Sequence, residues 1–412
     1  MPHGYFFDTS TNIAVITDSN TFSTVFNTDY SGNQITTGFQ LNGVDIGSMI
    51  TPFVDLSFST ANNYHYLINS NNINTRFSFT KPKPRVAVTN YYDISTNGIY
   101  TLYEFHHGST GTFQLNTSIP NIVLDLNVLL IGGGGAGGHY VDYTSGGAGG
   151  GGAGSYVTTI IKAPATTSVY FDINVGAGGA GTNNGNTSGT NGSPSSITII
   201  GMGNTTYSLT AGGGGSGGSE ASPQGQKSDS LYGSTGGSCS SIEHSNANAY
   251  GTNAGYTNDN DSIFTTISCS VNRGGNATQY GFFQGYGGGG GGGAGGHGQD
   301  IGYYDYNGGN GGDGKTWIIN NVTYAGGGGG AKGVSGGADN SSGGSGGGGN
   351  SATLANQSGD ATQHTGSGGG AAWQGAAGLW SGNGGSGICI IAVKTSDAIA
   401  PPSAPASECA IS

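Results

Sequence analysis

A glycine pattern near residue 132 matches a dinucleotide-binding fingerprint by its letters. The pattern Gly132-x-Gly134-x-x-Gly137 follows an apolar segment, as that fingerprint does. In a nucleotide-binding fold the glycines open an amphipathic helix, whose N-terminus holds the pyrophosphate. Here residues 140–155 are mostly glycine and polar residues, with no amphipathic pattern. We therefore expect a chance match.

A second pattern, Gly309-x-x-x-x-Gly314-Lys315-Thr316, has the letters of a phosphate-binding P-loop. A P-loop also leads into a helix, but the next residues, Trp317-Ile318-Ile319, are typical of a strand. With 87 glycines in 412 residues, chance matches to glycine patterns are expected. We expect no nucleotide and no other cofactor.

Two groups of residues have the side chains of metal ligands. Glu104, His106 and His107 are close in sequence, but adjacent histidines on a strand point to opposite faces, so a shared ion is not expected. Residues 258–261, Asn-Asp-Asn-Asp, resemble part of a calcium loop whose glycine and closing glutamate are missing. We expect a solvated loop there and no metal, with a loop-bound cation as the alternative.

No set of nucleophile, base and orienting acid can be assembled from the sequence, so we do not expect an enzyme. The candidate site residues are aromatic side chains in polar, glycine-rich loops, where they offer contact area at low entropic cost. The candidates for receptor contact are Tyr140, Tyr143, Tyr232, Tyr250, Tyr256, Phe282, Phe283, Tyr286, Tyr303, Tyr304, Tyr306, Trp373 and Trp380. The alternative is that these rings pin the loops to the body or lie buried at a subunit interface.

Glycine is abundant only after residue 131, where it comes in runs. Runs of three or more occur at 132–135, 149–152, 212–215, 287–293, 326–330, 346–349 and 368–370. Glycine has the most backbone entropy to lose on folding, yet these runs alternate with short β-like segments, which disordered linkers do not do. Only 33% of residues are hydrophobic, so stability must come largely from backbone hydrogen bonds, loop anchoring or oligomerisation.

Charge and hydropathy exclude several classes of partner. The formal net charge is −12 and the few basic residues are scattered, so nucleic acid is not an expected partner. We expect no membrane span, since no segment is long and apolar enough, and no secretory signal, since the start of the sequence lacks a basic and an apolar region. Cys239 and Cys269 flank one long loop region and could form a disulfide, but without a secretory signal we favour free thiols.

β-Branched and aromatic residues predict an all-β fold in three regions. The sequence predicts a β-rich N-terminal assembly or anchoring domain at residues 1–95 and a glycine-rich body at residues 96–394. It predicts a flexible Pro/Ala/Ser tail at residues 395–412. Within the body we predict a hairpin of 98–105 with 111–115, one or two strands over 119–131 with one buried face, and strands at 155–162, 168–175, 196–200, 205–210, 315–324 and 387–394.

The glycine runs call for an ordered packing other than collagen, which needs glycine at every third position and abundant proline. We favour extended left-handed helices of three residues per turn, polyglycine II helices, packed side by side. Without side chains they approach closely, and each N–H and C=O can bond to an adjacent run. Such a body is a rigid slab that displays its loops, which is typical of a structural or adhesive protein.

The order of these segments resembles a known kind of domain. A strand-rich lead at 100–115 is followed by Val-Leu-Leu-Ile and a glycine run at 128–138; similar junctions follow at 150–156, 175–179 and 324–330, and 384–391 closes the series. This series resembles the glycine-rich domain of viral tail fibres, fibre-tip adhesins and glycine-rich virion proteins of large DNA viruses. The resemblance implies a β-plus-polyglycine sandwich on a virion surface, with loops that contact the host.

The resemblance implies a virion surface structural protein: a fibre, spike or capsid-decorating component. Residues 1–95 would bind other virion proteins, and the chain would form a homo-oligomer. The alternative is a dedicated receptor-binding adhesin at a tail-fibre tip, which recognises a host surface glycan or protein through the aromatic loops.

Overall fold

The structure is a computed structural model. It describes backbone and side chains for residues 92–108, 111–114, 123–141, 147–163, 169–183, 187–201, 206–219, 263–265, 267–276, 287–301, 307–332, 341–352, 358–373 and 379–394, and otherwise only the backbone of strands. No α-helix occurs within these described parts of the chain. The predicted all-β class is therefore confirmed.

The described strands are, in chain order, β1 Gly4–Asp8, β2 Ile13–Thr17, β3 Phe22–Asn27, β4 Thr36–Leu41, β5 Val44–Asp45, β6 Asp55–Ser59, β7 Tyr64–Ile68, β8 Asn74–Ser78, β9 Arg85–Thr89, β10 Asp93–Thr96, β11 Tyr100–His106, β12 Gly111–Asn116, β13 Val123–Ile131, β14 Gly138–Tyr140, β15 Tyr156–Pro164, β16 Val169–Asn174, β17 Thr187–Ser188, β18 Ser195–Met202, β19 Thr205–Ala211, β20 Ser238–Cys239, β21 Asn253–Thr257, β22 Phe264–Ser270, β23 Lys315–Trp317, β24 Val322–Tyr324, β25 Ala372–Trp373 and β26 Ile388–Lys394. The strands predicted at 155–162, 168–175, 196–200, 205–210 and 387–394 are confirmed. The segment predicted as one strand at 315–324 is a hairpin, because a turn at residues 318–321 separates β23 from β24.

Two large sheets form the centre of the glycine-rich body. One has the strand order β10-β11-β26-β13-β15-β22, and the other β20-β21-β19-β18-β16-β12-β9. The predicted hairpin of β11 with β12 is wrong, because these strands lie in different sheets. Their aromatic side chains meet across the core instead, where the rings of Tyr103 and Phe113 lie 5.5 Å apart, edge to face. Within the seven-stranded sheet, Phe113 contacts its β16 partner Phe171 at the same distance. Packing face to face buries these rings fully, which edge-to-edge pairing of the two strands would not do.

The core between the two sheets consists of side chains that alternate along the strands. It includes Phe105, Leu126, Ile161, Ile173 and Ile199, each completely buried. Strand β13 alternates only in its first half, where Val123 and Asp125 are exposed and Leu124 and Leu126 are buried. From residue 128 onward every residue of β13 is buried, so the prediction of one buried face holds for the first half alone.

The six-stranded sheet is also covered on its second face. Leu129, Ile131 and Ile390 pack there against Trp317 and Tyr324 of the β23–β24 hairpin, together with alanines of the glycine runs. A strand that is buried on both faces must be apolar throughout. This second layer explains why β13 and β26 read as continuous apolar segments.

Smaller sheets precede the body in the sequence. Strands β1 to β5 form one antiparallel sheet, and β6 to β8 form another. Strand β9 instead pairs with β12, and β10 pairs with β11. Strands β9 and β10 therefore join the sheets of the glycine-rich body, although the sequence placed most of their residues in the N-terminal region.

The cysteines differ from the prediction at one position. Cys269, on β22, is disulfide-bonded, so the expectation of a free thiol there is wrong. Its partner lies outside the residues whose side chains the structure describes. Cys389, on β26, is a free thiol that is completely buried, and burial raises its pKa well above the usual range.

The glycine runs continue the strands of both large sheets. Strand β13 ends at Ile131 and runs directly into 132–138, and run 149–155 leads directly into β15. The amides of every third residue in run 132–138 donate to the same neighbouring run: Gly132 to Ser155 at 3.3 Å, Gly135 to Gly152 at 2.8 Å, and Gly138 to Gly149 at 3.0 Å. The amides between them donate to two other runs: Gly133 to Ser193, Ala136 to Thr190, Gly134 to Gly385 and Gly137 to Gly382.

Run 149–155 shows the same three-residue period. Its amides donate to three neighbouring runs in turn. The first run accepts from Gly149, Gly152 and Ser155, through Gly218, Gly215 and Gly212. The second accepts from Gly150 and Ala153, through Gly289 and Gly292, and the third accepts from Gly151 and Gly154, through Gly369 and Gly366. In a sheet, successive amides of a strand alternate between two sides. Here the runs bond in three directions, so they form a slab rather than another sheet.

The slab requires glycine because its backbones touch. A Cβ atom added to Gly133 would lie 1.9 Å from the carbonyl oxygen of Ala177, and one added to Gly370 would lie 1.8 Å from that of Asn350. Such distances lie far inside van der Waals contact, and the opposing atoms are backbone atoms, which cannot move as a side chain can. The close approach of the runs therefore excludes every other residue at these positions.

Candidate functional site

The rim of the slab, where the runs end in turns and loops, is the candidate functional site. Three of the thirteen aromatic candidates have described side chains: Tyr140, Trp373 and Trp380. The candidates outside the described residues are Tyr143, Tyr232, Tyr250, Phe282, Phe283, Tyr286, Tyr303, Tyr304 and Tyr306. Tyr256 lies on β21, whose backbone alone is described.

Tyr140 and Trp373 pack inside the slab. They face each other in the parallel pairing of β14 with β25, and they form a buried cluster with three alanines of the glycine runs. Trp373 is completely buried, and the ammonium group of Lys332 lies 5.5 Å from the centre of its ring. Their burial argues against the predicted receptor contact, because their rings fill the space that the small residues of neighbouring runs leave.

Trp380 is exposed at the rim, with 49% of its surface accessible. Its backbone carbonyl accepts a hydrogen bond from the hydroxyl group of Ser358, which fixes the start of run 380–387 to the neighbouring segment. Trp380 therefore presents an aromatic surface on a backbone that this hydrogen bond holds in place. Of the three described candidates, it alone remains available for contact.

Asparagine and aspartate side chains cap the ends of the runs. The Oδ1 atom of Asn383 accepts a hydrogen bond from the amide of Gly181 at 2.8 Å, and Oδ1 of Asp360 accepts one from the amide of Asn383 at 2.8 Å. The same role is played by Asn191 for Ser216, Asn310 for Ser342, Asn350 for Gly343 and Asp313 for Ser345. These bonds satisfy amides that have no further run to bond to, much as N-cap residues do for a helix.

The histidines at the end of β11 contact different groups. The Nε2 atom of His106 lies 3.6 Å from a carboxylate oxygen of Glu104, whereas Nδ1 of His107 lies 2.8 Å from the carbonyl oxygen of Val175. The ring of His106 also stacks on His364, with 3.8 Å between the ring centres and 11° between the planes. Sequence reasoning missed this contact, because nothing near His106 or His364 in the sequence relates the two. Among the described residues no group of three or more His, Cys, Asp or Glu side chains is placed to hold a metal ion.

Both glycine patterns of the sequence lie in the slab. Residues 132–138 bond to neighbouring runs and lead into β14, and Gly314 is followed directly by β23. Neither pattern opens a helix, so neither provides the helix N-terminus that a nucleotide phosphate needs. The calcium-like segment 258–261 lies outside the described residues. No helix in the described ranges has the length and apolar character needed to cross a bilayer.

Comparison with known proteins relates this architecture to one family. No curated protein matches the chain at a significant level. The model of a glycine-rich domain matches residues 108–394, from the end of β11 to the last residue of β26. This range contains the slab and most of the two large sheets, and it is more than half of the chain. The chain therefore belongs to the glycine-rich domain family.

Proposed function

We propose that this protein is a structural component of a virion surface: a fibre, a spike or a capsid-decorating element. The observation that carries the proposal is the slab, whose runs are bonded in three directions and approach so closely that a Cβ at most of their glycines would overlap neighbouring backbone. A slab of this kind holds the ends of its runs in place through backbone hydrogen bonds, which suits an exposed particle protein. The order of strands and glycine runs, which resembles that of viral fibre and virion proteins, supports the same assignment.

We further infer that the runs are packed polyglycine II helices. The three-residue period of the hydrogen bonds supports this, because a helix with three residues per turn aims every third amide in one direction. Residues 1–95 would bind other virion proteins, the chain would form a homo-oligomer, and the body would face outward.

A second function, receptor binding, is favoured by the exposure of Trp380. A large ring on a backbone fixed by capping bonds suits contact with a host glycan or protein, since little entropy is lost on binding. In this alternative the chain is an adhesin. Its receptor binds to the loops that contain Trp380 and the tyrosines at positions 303, 304 and 306.

Attachment competition and particle composition together test both functions. Purified full-length chain is added in excess to the parent particle and its host, and attachment is counted; mass spectrometry of purified, protease-treated particles shows whether the chain is an exposed component. Presence on the particle without competition supports the structural role alone, and dose-dependent competition supports the adhesin. A chain that is absent from the particle and does not compete would overturn both functions.

A matched pair of variants distinguishes specific contact at the rim from nonspecific binding by exposed aromatic rings. Trp380→Ala removes the exposed ring at the rim, and Tyr170→Ala removes an exposed ring on β16, in the seven-stranded sheet. For an adhesin, we expect competition to be lost with Trp380→Ala, or with the triple alanine variant of residues 303, 304 and 306, and kept with Tyr170→Ala. Equal competition by all variants would exclude the aromatic rim as the receptor contact.

A further inference from the structure

A stack of rings joins the six-stranded sheet to the slab. His106, the last residue of β11, is 6% exposed, and its ring stacks on His364 from the turn at residues 363–366. Tyr92, just before β10, also stacks on His106, with ring centres 3.8 Å apart. The stack thus brings together three segments that are distant in sequence: the entry to the body, the end of β11 and a turn of the slab.

The turn that carries His364 is held in an unusual conformation. His364 has a φ of 63°, which non-glycine residues rarely adopt. Its amide donates to Oγ of Ser386 at 3.0 Å, and its Nδ1 lies 3.1 Å from the same hydroxyl group. The carbonyl of Gly366 accepts a hydrogen bond from the amide of Gly154. The turn therefore connects the slab to the segment that leads into β26, and His364 is its contact with β11.

The groups that face the two histidines favour neutral imidazoles at neutral pH. The pKa of His106 is lowered to about 4, first by burial and then by the nearby His364, while Asp93 opposes the shift. Burial also lowers the pKa of His364, as does the nearby His107. Glu104, beside His106, has its pKa raised by burial and by Asp93, which is its partner in the pairing of β10 with β11.

Protonation would turn this contact from attraction to repulsion. Two neutral imidazoles stack as aromatic rings do, whereas two imidazolium ions with centres 3.8 Å apart repel each other. The carboxylates of Glu104 and Asp93 can stabilise a positive charge on His106, whereas His364 contacts a hydroxyl group and aromatic rings. Acid is therefore expected to separate the rings by moving the turn.

We propose that the stacked pair His106 and His364 is a pH-sensitive latch, which holds the turn 363–366 against β11 at neutral pH and releases it in acid. Release also removes the contact of Tyr92 with His364, whose ring centres lie 5.9 Å apart, while Tyr92 keeps its stack on His106. Acidification would therefore loosen the turn 363–366, while the slab itself stays bonded.

Hydrogen exchange of the full-length protein at pH 7.5 and pH 5.0, corrected for intrinsic rates, tests the latch. We expect protection of amides in 363–366 to fall at least about tenfold in acid, while amides in run 288–294 keep theirs. The variant His106→Phe keeps a ring in the stack but cannot be protonated there, so it should retain protection at pH 5.0. His297→Gln, which removes an exposed histidine of the slab, should behave like the wild type.

Two results would overturn the latch. One is a protection of 363–366 in the wild type that is the same at both pH values, or that falls together with run 288–294, since an even loss is global acid unfolding. The other is an equal local loss in His106→Phe and wild type. Should His106→Phe not fold, the wild-type comparison of the two segments still decides.

Discussion

Replacing Gly291 by alanine would test whether contact between backbones holds the slab together. Gly291 lies in the long run after residue 286, where its amide donates to the carbonyl of Gly328 at 2.8 Å. A Cβ at this position would lie 1.9 Å from the carbonyl oxygen of Gly151 and 2.6 Å from its carbon. A carbon–oxygen contact needs about 3.3 Å, so the two runs must separate by about 1.4 Å.

That separation strains more than one interaction. The carbonyl of Gly151 also accepts a hydrogen bond from the amide of Gly328 at 2.9 Å, so moving the run of Gly291 disturbs one of the two bonds and moving the run of Gly151 disturbs the other. Overpacking costs about 1 to 3 kcal/mol, and a buried amide without a partner costs about 1 to 3 kcal/mol. We expect the free energy of unfolding to fall by roughly 2 to 6 kcal/mol, and the Tm of a body of this size by roughly 4 °C or more.

Gly296→Ala is the matched control. A Cβ there would meet its nearest atom, the amide nitrogen of Asp313, at 3.3 Å, and the φ of Gly296 is not in the left-handed region. Its Tm should stay close to that of the wild type, because a small adjustment is offset by the lower entropy of the unfolded chain. Differential scanning calorimetry of the three proteins decides. A Gly291→Ala protein that melts within about 2 °C of both others would refute the reasoning.

Three further predictions concern the rim, the cysteines and the latch. Asn383→Ala removes the acceptor for the amide of Gly181 and should lower the free energy of unfolding by about 1 kcal/mol in urea titration; no change would mean that water replaces the cap. Peptide mapping without reductant should recover Cys269 in a linked peptide, and Cys389 should react with iodoacetamide only after unfolding; rapid native alkylation of either would contradict the structure. Because the pKa of His106 is about 4 when folded and about 6.5 when unfolded, its contribution to stability is present above pH 6.5 and lost as the pH falls towards 4. The loss should be at most about 3 kcal/mol and should be missing in calorimetry of His106→Phe, whereas parallel curves would contradict it.

Strand positions could be predicted from the sequence, but strand partners could not. Strands such as β16 and β19 carry β-branched and aromatic residues between polar or glycine-rich segments, and that local signal suffices. Pairing depends on the whole chain. β11 and β12 are neighbours in sequence with a short connection, which favours a hairpin, yet burying both sets of aromatic rings places them in facing sheets.

The candidate site could be predicted only in part, because its local features are visible in the sequence and its long-range contacts are not. Packing of the glycine runs follows from the absence of side chains, and the capping residues are visible as asparagine and aspartate that punctuate the runs. Burial of Tyr140 and Trp373 depends on which runs become neighbours, and the sequence does not reveal this. The contact of His106 with His364 has no local signal either, since it exists only once the slab has formed.

The central position of β26 in the six-stranded sheet determines when that sheet can form. The last described strand of the chain lies between β11 and β13, inside the six-stranded sheet rather than at its edge. The residues just before it accept hydrogen bonds from the first glycine run, since Gly134 donates to Gly385 and Gly137 to Gly382. During translation, β11 and β13 therefore lack the strand that lies between them until the end of the body has left the ribosome. Such long-range closure is slow, and premature termination anywhere before Ile388 would leave two unpaired strand edges where the centre of the protein should be.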